Sequence, residues 1–202
     1  MTREQYIELI QANLLRIDSA ARYQSRYVEG VMDMIWQSMA FQHFGTFGTD
    51  SNFYSKLFTP VTVSQDIHGN YYSDLPDKII NLPRKSSGII RINQINGRDM
   101  DFTPVSERDF TMMVSQEVYQ LTNKITYYVT FERIHFGTNM TPAIAAAGLD
   151  IKMVIPFSSY DFDEDLPIMI GQSDMFINKS MQYLTATVPI NLENTNSETK
   201  MQ

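Results

Sequence analysis

Two runs of strict hydrophobic alternation dominate the chain. In KITYYVTFERIHF, from Lys124 to Phe136, residues Ile125, Tyr127, Val129 and Phe131 share one face of an extended segment, and Thr126, Tyr128, Thr130 and Glu132 share the other. In LDIKMVIPF, residues Leu149, Ile151, Met153, Ile155 and Phe157 repeat the pattern. A period of two marks strands with one buried and one wet face. The pattern predicts that the two runs pair antiparallel, joined by the small-residue loop GTNMTPAIAAAG. Val129 and Ile151 are expected on their shared buried face, with Glu132 and Lys152 facing outward or toward a partner.

Helical spacing appears on either side. Thr2 and Gln5 form a capping-box pattern ahead of Ile7, Ile10, Leu14 and Ile17. After a break at Asp18 and Ser19, a second helix is predicted from about Ala20 to Phe41, with the stripe Val28, Val31, Met32, Ile35, Trp36 and Met39. The two predict a helical hairpin over 1–45. Gly30 lowers the propensity of the second helix and marks a possible close helix contact. From Gln42 to Phe58 the periodicity dissolves, so a connector is expected there. Further strands are predicted at 61–67 and 88–95. His68-Gly69-Asn70 turns into a return strand at Tyr71, and Asn96-Gly97 turns into a short return run at 100–103. The DKIIN run between Pro76 and Pro83 reads as edge or irregular structure. Helices are expected over 106–121, capped by Ser106 and Asp109, and over about 173–185. The predicted class is α+β: a helical hairpin, an antiparallel sheet domain over 46–190 with two further helices, and an extended polar tail over 191–202.

Composition narrows the function classes. A chain of 202 residues with 43% hydrophobic residues can bury its own core. The balance of 16 basic to 23 acidic residues gives a net charge of −7, and Arg84-Lys85 is the nearest thing to a basic cluster. That argues against a sequence-specific nucleic-acid binder. There is no cysteine, hence no disulfide or thiolate zinc site. The start MTREQYIELI does not read as a signal peptide, and no apolar run approaches membrane-spanning length, so no membrane partner is expected. The 13 methionines are read mainly as core filling, although methionine also lines protein-binding surfaces.

Candidate chemistry is sparse. His43, His68 and His135 fall in no metal-ligand spacing, and the nucleophile-elbow pattern GxSxG is absent. Asp161, Asp163 and Asp165 alternate like the opening of a calcium loop, but Leu166 stands at the turn-glycine position and Gln172 where the bidentate glutamate belongs. An EF-hand is excluded. An acidic approach to the following helix is the favoured reading, with a looser calcium site left open. Asn139-Met140-Thr141 and Asn178-Lys179-Ser180 match the glycosylation pattern by chance. The expectation is therefore no catalysis, no cofactor and no required metal.

The order Asp163-to-Leu184, an acidic run followed by Leu166-Pro167-Ile168 and a helix, resembles the carboxy-terminal portion of small ring or adaptor proteins of crAss-like tailed phages. The amino-terminal helix, the second helix with Trp36 and the two alternating runs fit the same pattern. Met169 departs from it, standing where a second proline is common. The resemblance implies a virion structural protein, a subunit of a homo-oligomeric ring, dodecameric by analogy. It also implies assembly in the host bacterial cytoplasm and a place at the head–tail junction, contacting the portal and further ring or tail proteins. Trp36 and the tail residues Glu193, Asn194, Asn196 and Met201 are the candidate partner contacts. A non-catalytic carbohydrate-binding β-sandwich is the alternative; it requires exposed coplanar aromatics on one sheet face. An enzyme, the least favoured class, requires a cleft of convergent polar groups.

Overall fold

Residue placement in the computed structural model is described for 1–17, 23–48, 52–82, 87–95, 97, 100–114, 124–137 and 139–187. The expected break at Asp18-Ser19, Arg84-Lys85, Asn96, the second half of the third helix and the whole tail lie outside the described residues.

The capping box forms as its residues dictate. The Gln5 amide donates to Thr2 Oγ1 at 3.3 Å, and the Thr2 amide donates to Gln5 Oε1 at 3.0 Å. It opens α1 (Arg3–Ile17), which buries Tyr6, Ile7, Ile10 and Leu14. Helix α2 (Ser25–Phe47) completes the hairpin. It runs six residues past the expected end at Phe41. Part of the predicted connector is therefore helix, because His43 and Phe44 continue the buried stripe. Gly30 is exposed, and a Cβ there meets no atom within 4 Å, so it marks no close contact.

The strands form two sheets instead of one. Strands β1 (Lys56–Val61), β4 (Ile89–Gln94) and β8 (Leu149–Met153) make an antiparallel sheet in the order β1-β8-β4. Strands β2 (Ser64–Gln65), β3 (Tyr71–Asp74), β5 (Asp101–Pro104), β6 (Lys124–Val129) and β7 (Arg133–Phe136) make the second, in the order β2-β3-β7-β6-β5. All pairings are antiparallel except β5 with β6. A parallel pair needs a crossover, and α3 (Glu107–Val114) lies on it. Ser106 caps α3 as expected, its Oγ accepting from the Asp109 amide at 3.1 Å.

The pairing expected between the two alternating runs is thus corrected. The first run folds on itself. Thr130 donates its amide to the Arg133 carbonyl at 2.8 Å and its hydroxyl to the same oxygen at 3.1 Å, closing a turn over Phe131 and Glu132. The second run pairs with β1 and β4, in the other sheet. Val129 and Ile151 share no strand pairing: Ile151 is fully buried and Val129 only partly. Glu132 is exposed as expected, and Lys152 lies on the less buried face of β8, where it donates to Asn52 Oδ1. The return run after Gly97 pairs with β6, not β4. The small-residue loop contains a short helix, α4 (Pro142–Ala147), with Thr141 Oγ1 accepting from the Ile144 amide and Gly148 at φ 78° ending it.

Trp36 is completely enclosed, and its indole N–H donates to the Ile155 carbonyl at 3.1 Å. Tyr54, Tyr160 and Phe176 meet its ring nearly edge-on, with centroids at 4.9, 5.6 and 5.9 Å. Phe176 belongs to α5 (Ser173–Thr187), the last described helix, close to its predicted span. The core runs without interruption from α1 through both sheets to α5, across the boundary expected near residue 45.

Two stability changes follow. Gly30→Ala should stabilise the chain by about 0.5–1 kcal/mol, since an exposed helix interior gains propensity at no steric cost. Trp36→Ala should cost about 3–5 kcal/mol. Urea denaturation monitored by circular dichroism checks both.

Candidate functional site

The five-stranded sheet has two unlike faces. Register sets Tyr127 beside Phe136, Phe136 beside Tyr71 and Val129 beside Ile134, and with Ile125 and Phe102 these line the apolar side. Their chain neighbours point the other way: Tyr72, Asp74, Thr126, Tyr128, Arg133 and His135. On this second face Arg133 Nε donates to Asp74 Oδ1 at 2.8 Å, and the guanidinium lies 4.6 Å from the Tyr72 ring centroid. The Tyr128 and His135 rings stack face to face, 4.7 Å apart and 11° from parallel. Phe110 of α3 packs on Tyr128 at 4.6 Å.

These rings border an open cavity of about 580 Å³, where the β2–β3 turn, the end of β7 and α3 converge. Gly137 leaves room at this junction: a Cβ there would force the Thr126 hydroxyl to move and would press on the Thr126 carbonyl at 3.2 Å. The turn contributes Asp66. Its Oδ1 accepts the amides of His68 and Asn70, both at 2.8 Å, and its Oδ2 accepts Asn70 Nδ2 at 3.0 Å. The Asn70 side chain and amide, followed by His68, hold the Asp66 carboxyl below the usual range. Burial, assisted by Arg133, pushes the His135 imidazole below its ordinary value, and Glu107 and Asp66 oppose that shift. Burial and then Glu107 raise the Tyr128 phenol. His135 is therefore a neutral ring near pH 7, with Nε2 3.5 Å from Thr130 Oγ1. The arrangement suits binding a planar or cationic group.

The other expected sites sit elsewhere. His68 is exposed in its turn. His43 lies 4% exposed beside a smaller cavity of about 240 Å³ that Met39, Gln42 and Met175 also line. The rings of Phe44, Phe47 and Tyr54 surround it at 5.0–5.3 Å. The carboxylates of the acidic run pair with the chain's own cations. Asp165 pairs with the terminal amine at 3.2 Å, Asp161 lies 3.8 Å from Lys56 Nζ, and Glu164 binds the same ammonium. Among the described residues no group of three His, Cys, Asp or Glu is placed to hold a metal, and no helix is long and apolar enough to cross a membrane. Trp36, expected at an interface, is a core side chain with no surface to present. Glu193, Asn194, Asn196 and Met201 lie outside the described residues.

No protein-family model matches the chain, and no curated protein matches it significantly.

The cavity was not foreseen from the sequence, although two signals point to it. Tyr128 places a ring in the phase of the alternation assigned to water. Asp66 sits four residues before Asn70, the spacing of a carboxylate folding over its own turn.

Burial lowers the pKa of both His43 and His135 from 6.5. The unfolded chain therefore takes up protons first as pH falls. Stability is full above the unfolded value and declines below it, down through the depressed folded values. Acidification from pH 7 to pH 5 should lower the melting temperature, and by less in His43→Leu. An equal decline in both proteins would exclude His43 as a contributor.

Proposed function

We propose that the chain is a virion structural protein of a tailed phage, a subunit of a ring at the portal or head–tail junction that links capsid to tail. The observation that carries this reading is a pair of exposed apolar hairpin tips. Ile67, in the β2–β3 turn, is 95% exposed, and Phe131, in the β6–β7 turn, is 93% exposed. Tyr71 pairs with Phe136 and Asp74 with Arg133, so the two turns leave opposite ends of the β3–β7 ladder. Each tip exposes a large side chain that contributes nothing to its own core. Closed rings use head-to-tail contacts, in which one end of a subunit meets a different surface of the next. Apolar groups displayed at both ends of a rigid sheet suit that geometry. The resemblance to ring and adaptor proteins of crAss-like phages supports the same reading.

Particles and purified protein together test it. The chain should be found in purified virions by mass spectrometry, and a ring of uniform diameter should be seen at the portal by electron microscopy. Phe131→Asp should leave the circular-dichroism spectrum and melting temperature of the free chain nearly unchanged, because the side chain is exposed, while incorporation falls at least tenfold, about 1.4 kcal/mol of lost contact. Absence of the chain from virions would overturn the assignment.

A further inference from the structure

We propose that the cavity at the end of the five-stranded sheet binds the guanidinium group of an arginine presented by a partner protein. Its walls are flat and aromatic. Tyr128 and His135 stack on each other, Phe110 packs on Tyr128, and all three line the space. Its charge is negative. Asp66 lines it, and the Asp66 and Glu107 carboxylates both act on the His135 ring. None of the described residues lining it is a lysine or arginine. The nearby Arg133 is engaged with Asp74 and Tyr72.

The chain uses the same chemistry for its own arginines. Arg3 lies 4.3 Å from the Phe162 ring centroid and 3.2 Å from Glu29 Oε2. Arg133 lies over Tyr72 and bonds to Asp74. In each case an aromatic face and a carboxylate hold one guanidinium. The cavity offers those two parts again, facing outward.

Geometry favours arginine over lysine. A guanidinium is planar, weakly hydrated and able to stack, whereas an ammonium is a compact, strongly hydrated point charge. The Asp66 carboxylate is held by three hydrogen bonds, and a carboxylate has about four acceptor positions, so one remains for a donor from outside. The neutral His135 adds no repulsion. The net charge of −7 favours a basic partner at longer range. The site serves an arginine-bearing partner inside a ring or outside one, so it stands or falls apart from the ring assignment.

The test is an NMR titration of the full chain, following the His135 imidazole and the Asn70 amide. The probes are the tripeptide Gly-Arg-Gly and its lysine and citrulline counterparts. The arginine peptide should shift both signals saturably in the millimolar range. Citrulline keeps the planar shape without the charge and should leave them in place. Lysine should bind more weakly than arginine. Tyr128→Leu and Asp66→Asn should each weaken arginine binding by about tenfold, and so should Glu107→Gln on the exposed first turn of α3, which leaves the turn and the sheet untouched. Equal response to citrulline would overturn the proposal, as would no response to arginine from the folded wild-type chain. A response to a neutral sugar or nucleoside but not to arginine would assign the cavity to a different ligand.

Discussion

The structure depends on one buried hydrogen bond and the rings around it. Trp36 is the largest side chain in the core, and its N–H has a single satisfied partner, the carbonyl of Ile155. Ile155 lies two residues past the end of β8, the central strand of the three-stranded sheet, so this bond ties the helical hairpin to the segment leaving that strand. An indole N–H left unpaired in such a place costs about 1–3 kcal/mol. Tyr54 packs on the indole with a backbone in the left-handed region, φ 59°, which non-glycine residues rarely adopt. Such a conformation costs on the order of 1–3 kcal/mol and persists only when its surroundings over-determine it. Here they do: the Tyr54 amide donates to the Pro167 carbonyl at 2.6 Å, and its hydroxyl bonds to Gln172.

The amino terminus is fastened to the same assembly by charge. Arg3 is nearly buried, yet Nη1 donates to the Tyr160 carbonyl at 2.9 Å and Nη2 meets Glu29 on α2 at 3.2 Å. The terminal amine pairs with Asp165, and the Arg3 and Glu4 amides donate to the carbonyls of Glu164 and Phe162. The acidic run that resembles a cation loop is thus a clasp, using its backbone on α1 and its carboxylates on the chain's own cations. Pairs as exposed as Asp165 with the terminal amine contribute little individually. The buried Arg3 is different, because losing a partner would strand its charge.

Much of this was legible in the sequence where local chemistry decides. The capping box, the Ser106 cap, the turn after His68 and the span of α5 follow from residues within one turn of each other. One error was local: alternation continued through Thr130-Phe131-Glu132 and then slipped by one position to Ile134 and Phe136, and that change of phase marks the turn where one long strand was expected. The other errors come from contacts distant in the chain. Strand pairing is nonlocal: nothing within LDIKMVIPF specifies β1 and β4 as its neighbours. Thr141-Pro142 and Gly148 were sufficient signals for a short helix, but the alanines between them read as a loop. The cavity was hidden for a related reason. Its carboxylate and its rings come from 66–70, 107–111 and 128–137, segments that only the mixed order β2-β3-β7-β6-β5 brings together.

That order also explains why the β3–β7 ladder ends in a turn on each side. Strands β3 and β7 are each four residues long, so their ladder ends abruptly in turns on both sides. At one end the Asp66 turn is rigid, because a single carboxylate holds three donors, and it carries Ile67 beside the cavity. At the other, two hydrogen bonds from Thr130 to the Arg133 carbonyl close the turn that carries Phe131. Such tips keep their positions without support from a core, which limits the conformational entropy lost when they meet a partner. The face between them carries the exposed Arg133–Asp74 pair. Ile67 and Phe131 thus sit on stiff turns at the two ends of a ladder whose polar face lies between them.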